Sequence, residues 1–187
     1  NVNVWQIHNK YLITEISSGL VIIDQHVAHE RVLYEAAKIS LEGSGINSQK
    51  LMFPVTINYD PEQYESLIEI IPYLTKIGFD IRQFGQSSII VEGSPPDLSI
   101  GKEMEVINDI LDNFVEHNKL NSSFIDYMAA TYSCKAAVKA GDYLDKDECI
   151  NLINQLFATK HPYYCPHGRP IIINLTISDL DKRFERE

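Results

Sequence analysis

Side chains that can bind a metal or transfer a proton are concentrated just after the apolar segment Leu20–Ile23. They are Asp24, His26, His29, Glu30 and Glu35. His26 and Glu30 are four residues apart, so in an α-helix they would share one face. The pattern predicts a buried strand that passes into a helix at Asp24, a position where α/β folds often carry their chemistry. It therefore indicates a metal site.

A second group of ligand-type residues lies far downstream, in the loop Cys165–Pro170. Cys165 and His167 are separated by one residue, so in an extended loop their side chains point the same way. Pro166 stiffens this pair, and Gly168 permits a tight turn. Cysteine and histidine suit zinc, and together with His26 and Glu30 they would complete a tetrahedral set. The alternative is a charged helix face plus a free cysteine in a proline-rich loop, and periodicity alone favours neither.

Composition limits the class of protein. The chain has 187 residues, a formal net charge of −10 and three cysteines. An odd number of cysteines without disulfide spacing indicates a reducing, cytoplasmic location. No apolar run approaches the roughly 20 residues that span a membrane, and we expect no signal peptide. The negative charge opposes strong autonomous binding to DNA, because affinity for phosphate comes mainly from Lys and Arg.

The order of apolar patterns and turn residues predicts a mixed α/β fold of the α+β class with two subdomains. A β-meander leads to Asp24, and a helix over about 25–41 follows, ending at the glycine-rich breaker 43–45. The last strand, 171–175, is expected to join the meander in one sheet. We therefore predict a discontinuous metal-site subdomain, 1–47 with 123–187. A second subdomain, 48–122, is inserted into it.

Three helices in the second half of the chain have clear start signals or apolar stripes. A helix over 103–117 is expected to place Met104, Ile107, Leu111 and Phe114 inward. A helix over 124–140 contains Cys134, which by its residue type alone is predicted to be a small buried side chain. Asp145 and Glu148 form a capping box for a helix that reaches about residue 157 and carries Cys149 on its apolar stripe.

Three motifs in order resemble those of the MutL family of mismatch repair proteins. The segment Asp24–Glu35 resembles the family's endonuclease motif DQHA-x2-E-x4-E, with Val27 in place of alanine. Ser133-Cys134-Lys135 resembles its ACR motif with two conservative departures, and Cys165–Pro170 matches its CPHGRP motif without change. The resemblance covers essentially the whole chain, as the C-terminal domain of an endonuclease-proficient member. It implies that the discontinuous subdomain, 1–47 with 123–187, is the dimerisation subdomain and that 48–122 is an external regulatory subdomain.

This resemblance implies a metal-dependent endonuclease that nicks duplex DNA. Asp24 and Glu30 are the expected catalytic residues, and Asp24 is expected to bind Mn2+ or Mg2+, since a hard carboxylate suits such ions. Zn2+ held by His26, Glu30, Cys165 and His167 would be structural or regulatory. The resemblance also brings Cys134 and Lys135 near the metal site.

The remaining residues near the motifs have open roles. Gln25 is a supporting candidate beside the ligands. Glu35 is rotated roughly 140° from Glu30 around the helix, so it is expected either to support the site or to stabilise the subdomain. Arg169 is expected either to contact phosphate or to form a salt bridge that holds the loop.

The expected partners also follow from the resemblance. It implies a homodimer, duplex DNA bound weakly by this domain alone, and contact with the mismatch-recognition protein MutS through the full-length protein. ATP is expected to act only through an N-terminal ATPase domain outside this sequence, and the protein is expected in the cytoplasm with the nucleoid. A further segment resembles the short motif that binds the replication sliding clamp. It consists of Gln49, Lys50, Leu51, Met52, Phe53 and Pro54. The alternative is an ordinary edge strand with Leu51 and Phe53 inward.

Three other classes of metal-binding protein use residues of these types. A non-catalytic, zinc-stabilised dimerisation and partner-binding module remains an alternative, although such a module has no need of Asp24. A zinc deaminase fails on spacing, because Cys165 is followed by Pro166 and His167 instead of a second cysteine at the required distance. A zincin fails as well, because Glu30 is not followed by a histidine three positions later.

Overall fold

The computed structural model describes residues 3–43, 45–117 and 122–186, without the side chains of His117 and Ser122. The strands are β1 (Val4–Ile7), β2 (Tyr11–Ile16), β3 (Gly19–Asp24), β4 (Gln49–Asn58), β5 (Asp80–Phe84), β6 (Ser88–Ser94) and β7 (Ile172–Thr176). The helices are α1 (Gln25–Glu42), α2 (Pro61–Lys76), α3 (Glu103–His117), α4 (Ser122–Ala136), α5 (Lys146–Ala158) and α6 (Ile177–Arg183). No helix in the described ranges combines the length and apolar character that a membrane span requires. These helices and antiparallel sheets confirm the predicted α+β class.

The chain forms two compact units. The first combines Asn1–Val32 with Ala137–Glu187, and the second is Leu33–Ala136. The stretches 33–47 and 123–136, which the sequence assigned to the dimerisation subdomain, therefore belong to the second compact unit. The predicted breaker at 43–45 includes Ser44, which lies outside the described residues. The assignment of functions to subdomains stays a prediction.

A four-stranded antiparallel sheet in the order β1-β2-β3-β7 forms the centre of the first unit. The predicted pairing of the last strand with the meander is confirmed, since β7 lies beside β3. Gly19 makes this pairing possible: its φ is +146°, and a Cβ there would overlap the carbonyl oxygen of Leu175. Leu12, Val21 and Ile23 face the core, where they pack with Cys149 of α5, which is 3% exposed as predicted.

The opposite face of this sheet carries an apolar row. Trp5 pairs with Ile13, Ile13 with Ile22, and Ile22 with Ile173, so the four side chains lie on one face. Trp5 is 50% exposed and Ile173 is 58% exposed. A row of large apolar side chains in water is typical of an interaction surface. We refer to these four residues as the sheet-face row.

The second unit contains a three-stranded antiparallel sheet in the order β4-β6-β5, together with α2, α3 and α4. Asp60 caps α2 by accepting a hydrogen bond from the amide of Gln63 at 2.9 Å, as its position before Pro61 predicts. The core of this unit includes Leu67, Ile89 and Ile107, each 0% exposed. Among the described strands, β4 pairs only with β6, so it is an edge strand of this sheet.

Two predictions about helices are wrong in detail. Met104 is 50% exposed and does not join the core, because Val106, Ile107 and Ile110 form the buried face of α3. The helix predicted over 124–140 ends at Ala136 as α4. The backbone of Val138 is instead hydrogen-bonded to histidine side chains of α1, and these bonds replace the helical pattern.

Candidate metal centre

Asp24 is the last residue of β3 and directly precedes α1. Its amide donates to the carbonyl of Ile171 at 3.0 Å, which fixes its backbone beside the strand that follows the Cys165 loop. Its Oδ1 accepts a hydrogen bond from the amide of Val27 at 3.0 Å. This hydrogen bond has the geometry of a helix N-cap, so one carboxylate oxygen of Asp24 stabilises the start of α1.

Gln25 is a structural member of the site. Its side chain is 0% exposed. Its Nε2 donates to the carbonyl of Asp142 at 3.0 Å, and its Oε1 accepts from Nε2 of Gln6 at 2.6 Å. These bonds tie the first turn of α1 to β1 and to the loop before α5, so Gln25 holds the helix that carries the ligand-type residues.

Two histidines of α1 bind the backbone of one residue. Nδ1 of His26 lies 2.8 Å from the carbonyl oxygen of Val138. A carbonyl only accepts, so Nδ1 carries the proton, and Nε2 of the neutral ring keeps a lone pair. The amide of Val138 donates to Nδ1 of His29 at 3.0 Å. A histidine that donates one ring N–H to a backbone carbonyl has the orientation and tautomer typical of a metal ligand.

Glu30 lies one turn further along α1 and is 6% exposed. Its Oε1 is 3.2 Å from Nδ1 of His167. The two atoms lie within ion-pair distance but are not aligned for a hydrogen bond, and Oε1 has no hydrogen-bond partner among the described residues. A buried carboxylate oxygen without a hydrogen bond is costly, and a cation beside it would remove that cost.

The Cys165 loop is a short hairpin. The amide of Cys165 donates to the carbonyl of Arg169, the amide of Gly168 donates to the carbonyl of Cys165, and Tyr164 forms a β-bridge with Pro170. Cys165 is 5% exposed. Its sulfur accepts hydrogen bonds from the amides of His167 and Arg169, each at 3.3 Å. Both amides therefore point at the sulfur, which is an atom type that zinc prefers as a ligand.

The remaining candidate site residues from the sequence are Arg169, Glu35, Cys134 and Lys135. The guanidinium of Arg169 is exposed and forms no salt bridge with any described residue, so the predicted loop-holding ion pair is not observed. Glu35, Cys134 and Lys135 belong to the second compact unit. Cys134 is exposed, so the prediction from residue type that it is buried is wrong. Lys135 pairs with Glu105 at 2.5 Å and with Asp109 at 3.1 Å, both on α3.

A metal ion was expected at this centre, and the donor chemistry fits one in three respects. Oε1 of Glu30 is buried with no hydrogen-bond partner in the described part of the chain, the Cys165 sulfur accepts hydrogen bonds from two amides, and the Val138 carbonyl orients His26. The side chains are not assembled into a complete site. In the ranges described, no group of three or more His, Cys, Asp or Glu side chains is close enough to bind a metal ion. The ligand set stays a prediction.

Sequence reasoning missed the residues that position the ligands. Val138 contributes only backbone atoms, so its side chain gives no sign of its role. Gln6 and Asp142 complete the hydrogen-bond network of Gln25. A buried glutamine at the first position of a helix needs partners for its amide, and this requirement is the one signal that could have indicated such a network.

Comparisons with known proteins agree with the motifs. The family model described as MutL C terminal dimerisation domain matches residues 4–144. The chain is 47% identical over 184 residues, or 98% of its length, to DNA mismatch repair protein MutL of Chlorobaculum tepidum. It is also 47% identical over 184 residues to the protein of that name from Chlorobaculum parvum, and 45% identical over 187 residues to that of Chlorobium phaeovibrioides.

The match to the Chlorobaculum tepidum protein covers 98% of the present chain, and the match to the Chlorobium phaeovibrioides protein covers 100% of it. Each match covers only 30% of that relative's own length. The chain therefore spans about 30% of the length of the curated relatives that it matches. The family model covers most of the chain. The sequence identity to these relatives, 45–47% over nearly all of the chain, is far above the level expected by chance. The chain belongs to the MutL C-terminal dimerisation domain family.

Proposed function

We propose that this chain is the DNA-nicking endonuclease domain of a MutL homodimer that acts in mismatch repair. The observation that carries the proposal is the Glu30 carboxylate, buried without a hydrogen bond to Oε1 and 3.2 Å from His167 of the intact Cys165–Pro170 motif. A solvated helix face would not bury such a group, because a buried carboxylate oxygen without a hydrogen bond destabilises the fold.

The residues divide between two kinds of cation. His26, Glu30, Cys165 and His167 would hold zinc, since thiolate and imidazole prefer it. Asp24, with Glu30, would hold Mn2+ or Mg2+, because Oδ1 of Asp24 caps α1 and Oδ2 is left for a hard cation. When bound, that cation would act as a Lewis acid, which would lower the pKa of water and offset negative charge on the phosphate.

The protein's own groups would position the DNA. The exposed guanidinium of Arg169 can donate two parallel hydrogen bonds to one phosphate, which both binds and orients it. Gln25 keeps the first turn of α1 fixed through its two hydrogen bonds, so Asp24 and His26 keep their separation while the phosphate enters. The net charge of −10 keeps DNA affinity low, so the rest of a full-length MutL, with its ATPase domain and MutS contacts, would supply proximity.

A plasmid-nicking assay tests this function. The wild-type chain is incubated with supercoiled plasmid and Mn2+ or Mg2+, beside Asp24→Asn. Asparagine keeps the helix cap but lacks the charge that binds a cation, so we expect nicking by wild type and its loss in the variant, with circular dichroism unchanged. If wild type and variant form nicked circles at the same low rate, the non-catalytic dimerisation module is the better description.

We also propose that the segment Gln49–Pro54 binds the replication sliding clamp. β4 pairs with β6 at Lys50–Gly93 and again at Val55–Val91, so β4 has three extra residues in this interval. Residues 51–54, which lie between these two pairs, bulge out of the ladder formed by β4 and β6. Met52 is 86% exposed and Phe53 is 80% exposed, whereas Leu51 is half-buried. The alternative placed both Leu51 and Phe53 inward, and Phe53 does not fit it.

The exposed bulge supports a contact in which its side chains enter a cleft of the partner. A cavity of about 590 Å³ lies beside the bulge. It is lined by Leu51, Met52 and Phe53, together with Leu98 and Ile100 of the loop between β6 and α3. A contact of about six residues is small and should bind with micromolar affinity or weaker. Such a contact would still raise the effective concentration of DNA at an acidic nuclease domain.

The clamp proposal is tested by the ratio of nicking rates with and without clamp. We expect Gln49→Ala with Met52→Ala to bring this ratio to about 1, because both the polar and the apolar anchor are lost. Phe84→Ala is the matched control, since Phe84 is 51% exposed in β5 of the same sheet and lies outside the motif. Stimulation of the double variant at the wild-type level would exclude the segment as the clamp site.

A further inference from the structure

The chain contains a long stretch without acidic residues around the Cys165 hairpin. Between Glu148 and Asp179 there is no Asp or Glu, although the whole chain has 26 of them among 187 residues. The same stretch contains Lys160, His161 and Arg169. In a protein of net charge −10, this segment is the one best suited by charge to contact a polyanion.

Two adjacent tyrosines precede Cys165 in this hairpin, and both are exposed. The amide of Ile171 donates to the carbonyl of Tyr163 at 2.9 Å, and Tyr164 bridges Pro170, so both residues belong to paired backbone. Tyr163 is 56% exposed and Tyr164 is 61% exposed, whereas the adjacent Cys165 is 5% exposed. The hairpin thus holds two aromatic rings in water on a fixed backbone. We refer to Tyr163, Tyr164 and Arg169 as the tyrosine rim.

We propose that the tyrosine rim binds an unpaired DNA strand, with bases stacked on the two tyrosine rings and a phosphate held by Arg169. Proteins that bind single strands combine cationic side chains with aromatic side chains on which successive bases stack. This inference rests on the proposed endonuclease function, because it places the strand beside the same Cys165 hairpin.

The balance of charge and aromatic surface favours a single strand over a duplex. Duplex affinity comes mainly from Lys and Arg contacts to phosphate, and the rim offers one arginine in an acidic chain. Stacking does not depend on net charge, but it requires a base whose face is free. In a duplex the base faces are covered by their neighbours, so exposed tyrosine rings gain little from it.

The inference predicts a preference that can be measured without cleavage. Binding of the 187-residue chain to a fluorescein-labelled 20-nucleotide strand of mixed sequence is followed by anisotropy, without Mn2+ or Mg2+, beside the same strand in a duplex. We expect tighter binding of the single strand. Tyr163→Ala and Tyr164→Ala should each weaken it by roughly fivefold or more, and the corresponding Phe variants should restore it, since stacking needs the ring and not the hydroxyl.

Tyr143→Ala is the matched control, since Tyr143 is 74% exposed in the same compact unit but lies between Asp142 and Asp145. It should leave single-strand affinity unchanged. Arg169→Gln should weaken binding to both probes and reduce the salt dependence by about one phosphate contact. Circular dichroism and light scattering of each variant identify any loss of fold or dimer.

Several outcomes overturn the inference. Equal affinity of wild type for both probes would do so, as would single-strand binding by the double alanine variant at the wild-type level. Dissociation of the dimer by the alanine variants would assign the tyrosines to a protein interface instead. Failure of the wild type to nick plasmid concerns the proposed function alone, and a retained single-strand preference in that case would leave the tyrosine rim in place.

Discussion

In the proposed site, Asp24 serves two requirements with one carboxylate. Oδ1 caps α1 through the amide of Val27, and the negative charge is what a hard cation needs. A cap role alone would accept Ser, Thr or Asn equally well, whereas a cation-binding role needs the carboxylate. The two roles are therefore separable by substitution, although a single alanine variant would confuse them.

Stability measurements separate the cap of Asp24 from its charge. Asp24→Ala removes the hydrogen bond to Val27, so we expect the free energy of unfolding to fall by about 1 kcal/mol. Asp24→Asn keeps an oxygen in the same place and should change it by only a few tenths of a kcal/mol. Urea unfolding of the three proteins measures both effects. Equal losses in the two variants would show that the carboxylate charge, and not the cap, stabilises the fold.

Zinc content is the second prediction at the residue scale. We expect the purified chain to contain zinc, and His26→Ala, Glu30→Gln, Cys165→Ala and His167→Ala each to reduce it. The metal would join α1 to the Cys165 hairpin, so these variants should also lower the melting temperature. Metal analysis by mass spectrometry gives the stoichiometry.

Cys149→Ala is the matched control for the zinc variants. Cys149 is the other buried cysteine of the first unit, and it packs in the apolar core with Leu152 and Leu156. Its replacement should leave zinc content at the wild-type level. If Cys165→Ala keeps as much zinc as Cys149→Ala, the ligand assignment is wrong.

Residue types and spacing were enough to select the candidate ligands, but not the groups that hold them in place. Asp24, Glu30, Cys165 and His167 could be selected because carboxylate, thiol and imidazole are recognisable in sequence and recur at helical or loop spacing. The partner of both His26 and His29 is the backbone of Val138, more than a hundred residues away from either. A backbone partner has no residue-type signature, so only the fold reveals it.

At the scale of elements, α3 and α4 are joined by a small ion network. Glu105 of α3 lies 2.5 Å from Lys102 and 2.5 Å from Lys135 of α4. These two ammonium groups lower the pKa of Glu105 from 4.5 to about 2, with the hydrogen bond from Lys102 as the largest cause. Lys135, which the motif resemblance placed near the metal site, therefore has a structural role within the second unit.

The pKa of Glu105 reports this network. Lys135→Met removes one of the two cations, so we expect the pKa to rise from about 2 toward 4.5 without reaching it, because Lys102 remains. Carboxyl chemical shifts followed through a pH titration measure it. Lys38→Met is the control: Lys38 pairs with Asp126 instead, and its loss should leave Glu105 unchanged.

The sign of the corresponding stability effect follows from the direction of the shift. The folded-state pKa of Glu105 is lowered, so its contribution to stability is present above its ordinary value of 4.5. The contribution is lost as the pH falls from there toward about 2. Glu105→Gln should therefore destabilise the protein at pH 7 and have little effect near pH 2. An equal effect at both pH values would contradict the ion network.

Local sequence signals predicted where a helix begins more reliably than where a strand bulges or a helix ends early. The capping box at α5 is present as expected, with Asp145 accepting from the amide of Glu148 and Glu148 accepting from the amide of Asp145. Four residues are enough to specify that structure. The bulge of β4 depends on pairing with β6, some forty residues away. The early end of α4 likewise depends on α1, so neither deviation could be found from local sequence.

At the scale of the whole molecule, dimerisation is the property named in the family description. The sheet-face row of the first unit is the surface that we propose for it. Alternation along the strands could predict which residues face the core. It could not predict that the other face stays apolar and uncovered, because burial of that face by a helix would produce the same sequence pattern.

We expect Ile173→Asp to dissociate the dimer. Ile173 is 58% exposed at one end of the row, and in a twofold interface each substitution occurs twice. Losing two buried isoleucine contacts costs about 3 kcal/mol or more, which is roughly a hundredfold in the dissociation constant. Sedimentation equilibrium over a range of concentrations measures this constant directly.

Ile39→Asp is the matched control for the dimer prediction. Ile39 is 63% exposed on α1 and lies outside the sheet-face row. The same change there adds the same charge without touching the proposed interface, so the dissociation constant should stay at the wild-type value. Near-ultraviolet circular dichroism verifies that both variants keep their fold. If Ile173→Asp remains as dimeric as Ile39→Asp, the subunits associate through another surface. The exposed apolar row would then need a different partner, because a soluble protein rarely leaves such a patch without an interaction.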